Sequence, residues 1–240
     1  MATREGTWGY RERFGDRFGR TYFRRFAPGV VSSVGVGTYL GDATDPVVTH
    51  DPPSSTETDR REQPAQTADD LEPETLDASD RLHLTSQRPA TAVALAQRAA
   101  EAGCAVSFDP GRRLAEREYE PVLAEVDLVF LNQREADIAA DAGLLSGVDR
   151  VVVKHGAGGA EVRTDDETIS HPGFAVDPVD TTGAGDAFAA GFLAASQSGS
   201  DEYALAVGNA CGALAARTTG ARLHAEWRDV EALLDIGPEE

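Results

Sequence analysis

At 240 residues the chain is long enough for a sizeable core, and its 41 acidic against 22 basic side chains give a formal net charge of −19, with Lys154 the sole lysine. That balance argues against nucleic acid as a partner, and an acidic excess almost without lysine suits a protein kept soluble in concentrated salt, so a halophilic source is expected over an ordinary acidic one. Two isolated cysteines, Cys104 and Cys211, make neither a disulfide framework nor a zinc site and are expected as buried thiols, while a charged N-terminus and no apolar run of membrane-spanning length point to a cytoplasmic protein away from membranes.

Residues 1–27 alternate arginines with aromatics and are expected to form a short amphipathic helix or an arm. Val30 to Tyr39 reads as one β-branched strand running into a turn at Gly41-Asp42. From His50 to Asp77 the sequence is rich in proline, serine, threonine and acid. Such a composition buries too little apolar surface to offset ordering entropy, so a linker is expected, with a short helix starting around Leu71 to Leu76.

A regular alternation follows. Strands are expected at Arg81–Thr85, Ala105–Asp109, Val126–Leu131 and Arg150–Lys154. Helices are expected between them at Ala90–Ala102, closed by Gly103, at Leu114–Ala124 and at Gln133–Ala142. Ala160–Thr164 and Thr168–Pro172 read as a hairpin, and helices at Gly183–Ser196, Tyr203–Arg217 and Glu226–Leu234 end the chain. Strands alternating with helices imply an α/β fold whose mostly parallel sheet is covered on both faces. Ligands of such sheets bind beyond the carboxyl ends of the strands. Asp109, Asn132, Lys154 and, through its loop, Asp186 are therefore expected to converge on one edge.

The run Val179-Asp180-Thr181-Thr182-Gly183-Ala184-Gly185-Asp186-Ala187-Phe188 is the most informative segment. Small residues at Gly183, Ala184 and Gly185 let the backbone approach an anion, with N–H groups projecting from the first turn of a helix. Asp186 lies in that same turn, and Phe188 and Phe192 share one face of the helix. An acid beside an anion site suits a base that takes a proton from an attacking hydroxyl, which points to phosphoryl transfer. A plain tight helix start is the bland alternative.

Elsewhere the alternatives stay open. Asn132 and Glu135 fit a structural capping box, a role compatible with a functional one. Lys154 is either a strand-end charge or a phosphate ligand. Asp109 and Arg113 fit a turn and a surface ion pair, His155 a loop residue and Cys211 core packing.

The Asp180–Asp186 segment closely resembles the C-terminal signature of the ribokinase-like (PfkB) carbohydrate kinases. Asn132-Gln133-Arg134-Glu135, Lys154-His155-Gly156-Ala157-Gly158-Gly159 and Phe108-Asp109-Pro110-Gly111-Arg112-Arg113 are similar to further elements of that family, although Gly111 replaces a usual asparagine. The resemblance runs from about Leu71 to the C-terminus. It implies a ribokinase-like three-layer α/β/α fold, truncated on its N-terminal side and lacking the β lid, with an open sheet edge where strands are missing. It implies ATP and Mg2+ as cofactors and a hydroxyl of a small sugar or sugar acid as acceptor. Asp186 is the implied base, and the amides of Gly183, Ala184 and Gly185 the anion hole. Glu135, helped by Asn132, would hold magnesium through water. Lys154, Gly156 and Gly159 fall in the nucleotide loop, Asn209 near the adenine, and Asp180 and Thr182 around a monovalent cation such as K+. The sugar-gripping motif of the family has no counterpart in residues 1–80.

Residues 20–46, around Pro28-Gly29-Val30-Val31-Ser32-Ser33-Val34-Gly35-Val36-Gly37-Thr38-Tyr39-Leu40-Gly41, instead resemble the start of an aldo-keto reductase barrel, a coincidence of a glycine-bearing strand being the alternative. The expected organisation is an N-terminal arm and strand over 1–49, a linker over 50–70 and an incomplete kinase domain over 71–240. Two functional readings compete: a carbohydrate kinase, or a non-catalytic nucleotide-binding remnant of one. An oxidoreductase would need a barrel this length does not provide. The family's usual dimer surface is the lid, so a homodimer is expected only by another route.

Overall fold

The computed structural model describes the backbone of residues 30–34, 37–41 and 46–48, and residues 68, 71, 76–77, 79–197, 199–220 and 225–236. The arm expected over 1–27, most of the expected linker and the turn at Asp42 lie outside the described residues. The chain divides into two compact units, one over Pro28–Val151 and one containing Val152–Glu240.

In the unit 28–151 the strands are β1 (Val30–Val34), β2 (Gly37–Gly41), β3 (Pro46–Val48), β4 (Arg81–Thr85), β5 (Ala105–Asp109) and β6 (Leu128–Asn132). They lie side by side in the order β3-β2-β1-β4-β5-β6. β1 runs parallel to β4, β4 to β5 and β5 to β6, whereas β1, β2 and β3 pair antiparallel. Two expectations are corrected here. Val30 to Tyr39 is two strands, because β1 and β2 pair antiparallel with Val34 opposite Gly37. The open edge expected beside β4 is occupied, since β1 pairs with β4 from Val30↔Arg81 to Ser33↔Leu84.

The central strands are apolar on both faces. Leu82, Leu84, Val106, Phe108 and the run Leu128 to Leu131 are all buried, as a sheet covered on two sides requires. The cover comes from helices α1 (Pro89–Glu101), α2 (Glu120–Leu123) and α3 (Gln133–Asp141), through Ala92, Leu95, Ala96, Ala99, Val122, Leu123, Ala136 and Ala139. α1 starts at Pro89, whose missing N–H costs nothing in a first turn, and stops before Gly103, which takes φ +78. The helix expected over Leu114–Ala124 is corrected to a short 3-10 turn, Gly111–Ala115, followed by the four-residue α2. Pro121 cannot donate to a helix arriving from 117, and Tyr119 is drawn inward instead, with only 1% of its surface exposed.

β7 (Arg150–Lys154) crosses the boundary between the units. In the second unit, β8 (Ala160–Arg163) and β9 (Thr168–His171) form the expected hairpin, paired from Ala160↔His171 to Arg163↔Thr168. The helices are α4 (Ala184–Ala195), α5 (Asp201–Ala216) and α6 (Trp227–Ile236). α4 and α5 pack through small residues. A Cβ on Gly191 would meet Cys211 Sγ at 2.6 Å, and one on Gly208 would meet the Phe188 ring at 3.0 Å. Phe188 and Phe192 stack at 6.1 Å, as their spacing predicts, and Cys104 and Cys211 are both buried free thiols. Among the described residues no helix is long and apolar enough to cross a membrane.

Candidate active site

In the second unit the signature loop is built as a clasp around one carboxylate. Asp180 Oδ1 accepts the Thr182 N–H at 2.9 Å and Oδ2 accepts the Gly220 N–H at 2.9 Å. The Thr182 hydroxyl adds a further bond, and these hydrogen bonds hold the Asp180 carboxyl below its ordinary pKa. The amides of Val179 and Asp180 both donate to Ala216 O, so the loop is tied to the end of α5 at several points.

The clasp delivers the chain into α4. Gly183 is its N-cap, with φ +79, a conformation that costs a side-chain-bearing residue and not glycine. No side chain caps the helix, and the Gly185 N–H has no acceptor among the described residues. Lys154, which ends β7, reaches the same point: a Cβ built on Gly185 would stand 3.6 Å from Lys154 Nζ. A positive helix end, an uncommitted amide and an ammonium group therefore meet at Gly185. In chemical terms such an arrangement can receive an anion such as a phosphate. Asp186 occupies the first turn of α4 and is exposed.

The loop after Lys154 turns through Gly156–Gly158 and closes when His155 N–H donates to Gly159 O at 2.8 Å. Gly159 is pressed against the end of β9, where a Cβ would lie 2.0 Å from His171 O and 2.5 Å from Gly173 N. His155 lies 3.6 Å from Glu161 Oε1, beside the closer Arg163–Glu161 pair. Asn209, on α5, is 7% exposed and donates from Nδ2 to His171 Nδ1 at 3.2 Å. Gly173 N–H donates to the same nitrogen at 3.0 Å. An amide N–H only donates, so Nδ1 is an acceptor and the His171 proton sits on Nε2. Burial agrees, lowering the His171 pKa from its ordinary value.

In the unit 28–151, Asn132 and Glu135 form the capping box that their spacing predicts. Asn132 Oδ1 accepts Glu135 N–H at 2.9 Å and Glu135 Oε2 accepts Asn132 N–H at 2.9 Å. Glu135 is 6% exposed, so the cap holds it in one position at the carboxyl end of β6. Asp109 ends the neighbouring β5 and accepts the Gly111 N–H at 2.9 Å, the turn arrangement expected for it. The ion pair offered as a partner role for Arg113 does not form among the described residues. Asp109 and Asn132 thus share the carboxyl edge of adjacent parallel strands, as expected. His171 was not marked by the sequence: its contact with Asn209 spans 38 residues and leaves no local spacing.

A mostly parallel sheet with helical cover, polar residues at strand carboxyl ends and a glycine-led helix start belong to an α/β protein of the kind that takes ligands at the carboxyl ends of its strands. The model of the pfkB family carbohydrate kinases matches residues 40–228, and the chain belongs to that family, with its ribokinase-like fold. It is 55% identical over 150 residues to an ATP-dependent ribose-1-phosphate kinase of Halopiger xanaduensis, covering 60% of this chain and 51% of that one. Among solved structures, Thermotoga maritima ribokinase superimposes with a TM-score of 0.63 at 28% identity, covering 70% of this chain and 61% of its own. An Escherichia coli protein solved with ATP and Mg2+ superimposes with a TM-score of 0.61 at 26% identity, covering 71% and 63% respectively. The chain spans about half the length of the curated relative.

Proposed function

We propose that this protein transfers the terminal phosphoryl group of ATP to a hydroxyl of a small sugar, sugar acid or sugar phosphate. The observation that carries the reading is the meeting of the uncapped α4 N-terminus and Lys154 at Gly185, with Asp186 in the same turn. Asp186 takes the proton from the acceptor hydroxyl as its oxygen attacks. The amides of Gly183 and Gly185 and the Lys154 ammonium steady the charge on the transferring group, while the Ala184 N–H, which donates to Thr181 O at 3.2 Å, would have to share that bond to join them. The positive φ of Gly156 and Gly159 would let the loop pass a nucleotide closely, and Asn209, which is bonded to His171, would stand near its base.

The donor groups fit a magnesium nucleotide. Among the described residues no group of three or more His, Cys, Asp or Glu forms a protein cage for a metal ion, and magnesium does not need one: it keeps several waters and takes few protein ligands. Glu135 would hold such a water, since a carboxylate offers about four acceptor sites and the cap uses few of them. Magnesium, when bound, neutralises phosphate charge. Asp180 and Thr182 would frame a monovalent cation such as K+, using acceptor capacity beyond the clasp.

The 55% identical relative makes ribose 1-phosphate the first acceptor to assay. ADP release should be followed in concentrated potassium chloride with ATP, magnesium and, in turn, ribose 1-phosphate, ribose, fructose and 2-keto-3-deoxygluconate. Acceptor-dependent release supports the proposal. Nucleotide binding without turnover on any acceptor would overturn it in favour of a non-catalytic nucleotide-binding protein.

A further inference from the structure

Asn209 interrupts an otherwise apolar stretch of α5. The rest of residues 204–216 are Ala, Leu, Val, Gly and Cys, and Asn209 is 7% exposed. A buried amide is costly unless its hydrogen bonds are made. Among the described residues its one side-chain hydrogen bond runs to His171 Nδ1, at 3.2 Å.

That bond decides which way the amide faces. His171 Nδ1 accepts the Gly173 N–H at 3.0 Å and is therefore an acceptor. The Asn209 group beside it must be the donor, Nδ2, because a turned amide would set its oxygen against a lone pair. The imidazole is held in its own place, with the Phe174 ring 5.2 Å away between centroids. The two ends of a planar amide diverge, so Oδ1 is fixed on the side away from His171. It is an acceptor with no hydrogen-bond partner among the described residues.

These groups lie in one compact unit with the helix start at Gly185. A Cβ on Gly159, in the loop after Lys154, would meet His171 O and Gly173 N. One on Gly212, three residues from Asn209 along α5, would stand 3.2 Å from Ala184 O at the start of α4. Three residues of helix span about 4.5 Å. A nucleotide with its phosphates at Gly185 would bring its base within reach of Asn209.

We propose that His171 is a positioning residue for base recognition: by holding the Asn209 amide nitrogen it keeps Oδ1 turned to the base, so that the site takes the exocyclic amino group of adenine and refuses the carbonyl that guanine carries at the same position. The inference rests on the nucleotide-binding part of the kinase reading above. His171 touches no reacting group and acts through Asn209.

Calorimetric titration of the full chain with non-hydrolysable ATP and GTP analogues, in concentrated potassium chloride with magnesium, reads the ratio of the two affinities. The wild type should favour the ATP analogue about tenfold or more. His171→Phe leaves no acceptor, frees the amide to turn, and should cut that ratio about fivefold or more. His171→Asn sets an oxygen close to the Nδ1 position and should hold the ratio within about twofold. Beside Asn209→Ala, His171→Phe should no longer change the ratio. A His171 that merely ties β9 to α5 would, when replaced, lower the melting point and both affinities alike. That result, a wild type without preference, or an effect of His171→Phe that persists beside Asn209→Ala would each overturn the proposal. Acceptor-dependent ADP release with an unchanged ratio in His171→Phe would leave the kinase reading standing while this inference falls. A ratio that falls as stated, without turnover on any acceptor, would support this inference while the kinase reading falls.

Discussion

Gly159 offers a sharp test of how the loop after β7 is held. It sits at φ +82 and ψ −138, close to a region that only glycine visits readily. A methyl group there would lie 2.0 Å from His171 O and 2.5 Å from both Gly173 N and the Pro172 carbonyl carbon. All three atoms are backbone, so no side-chain rotation relieves the clash. Backbone strain of about 1–3 kcal/mol and overpacking of about 1–3 kcal/mol together put Gly159→Ala near 4 kcal/mol. Gly156 lies three residues earlier with φ +62, and a Cβ there meets nothing within 4 Å. Gly156→Ala should therefore cost about 1 kcal/mol, from conformation alone. For a chain of this size, each kcal/mol lowers the melting point by about 2–4 °C. Differential scanning calorimetry in concentrated potassium chloride should show a fall of roughly 8–16 °C for Gly159→Ala and roughly 2–4 °C for Gly156→Ala. Equal falls, or the larger one at Gly156, would refute the steric argument.

Gly191→Ala should destabilise by about 1–3 kcal/mol through overpacking against Cys211 Sγ, 2.6 Å from the new methyl. Adding Cys211→Ala should recover part of that loss in urea unfolding, and no recovery would place the crowding elsewhere. Asn132→Ala should cost about 1 kcal/mol, the usual worth of an N-cap, while Asn132→Asp should cost little. Chemical denaturation of the two variants decides it. His171 binds its proton less readily when folded, because burial lowers its pKa. The unfolded chain thus holds more protons as pH falls below the ordinary value of 6.5. The stability from neutral His171 is complete above that pH and drains away below it, toward the folded pKa. Melting points measured across mildly acidic pH should fall less steeply in His171→Phe, and parallel profiles would contradict the assignment.

The parts of this protein that were legible in its sequence are those encoded locally. The signature's glycines and acid, the Asn132–Glu135 spacing and the β8–β9 hairpin each lie within a few residues, so turn chemistry and capping rules reach them. The errors share a cause as well. Val30 to Tyr39 is rich in valine and reads as one continuous strand although it holds two that pair with each other, and the alanine and leucine of 114–124 mask the break enforced by Pro121. What the sequence kept back is long-range. Arg117 and Tyr119 reach back across about thirty residues to the Ser86-Gln87 carbonyls, His171 reaches Asn209, and Gly220 reaches Asp180. None of these pairs leaves a periodicity or a spacing, because the sheet and the α4–α5 pair bring them together only after folding.

The central claim is that Asp186 is the base of a phosphoryl transfer whose anion cradle is the start of α4. Asp186→Asn keeps the shape of the side chain and removes its basicity. With ATP, magnesium and ribose 1-phosphate, acceptor-dependent ADP release should fall about 100-fold or more. The affinity for a non-hydrolysable ATP analogue should stay within about twofold, since Lys154 and the helix amides remain. Turnover within about tenfold of the wild type would contradict the account, because general-base catalysis is worth more than that.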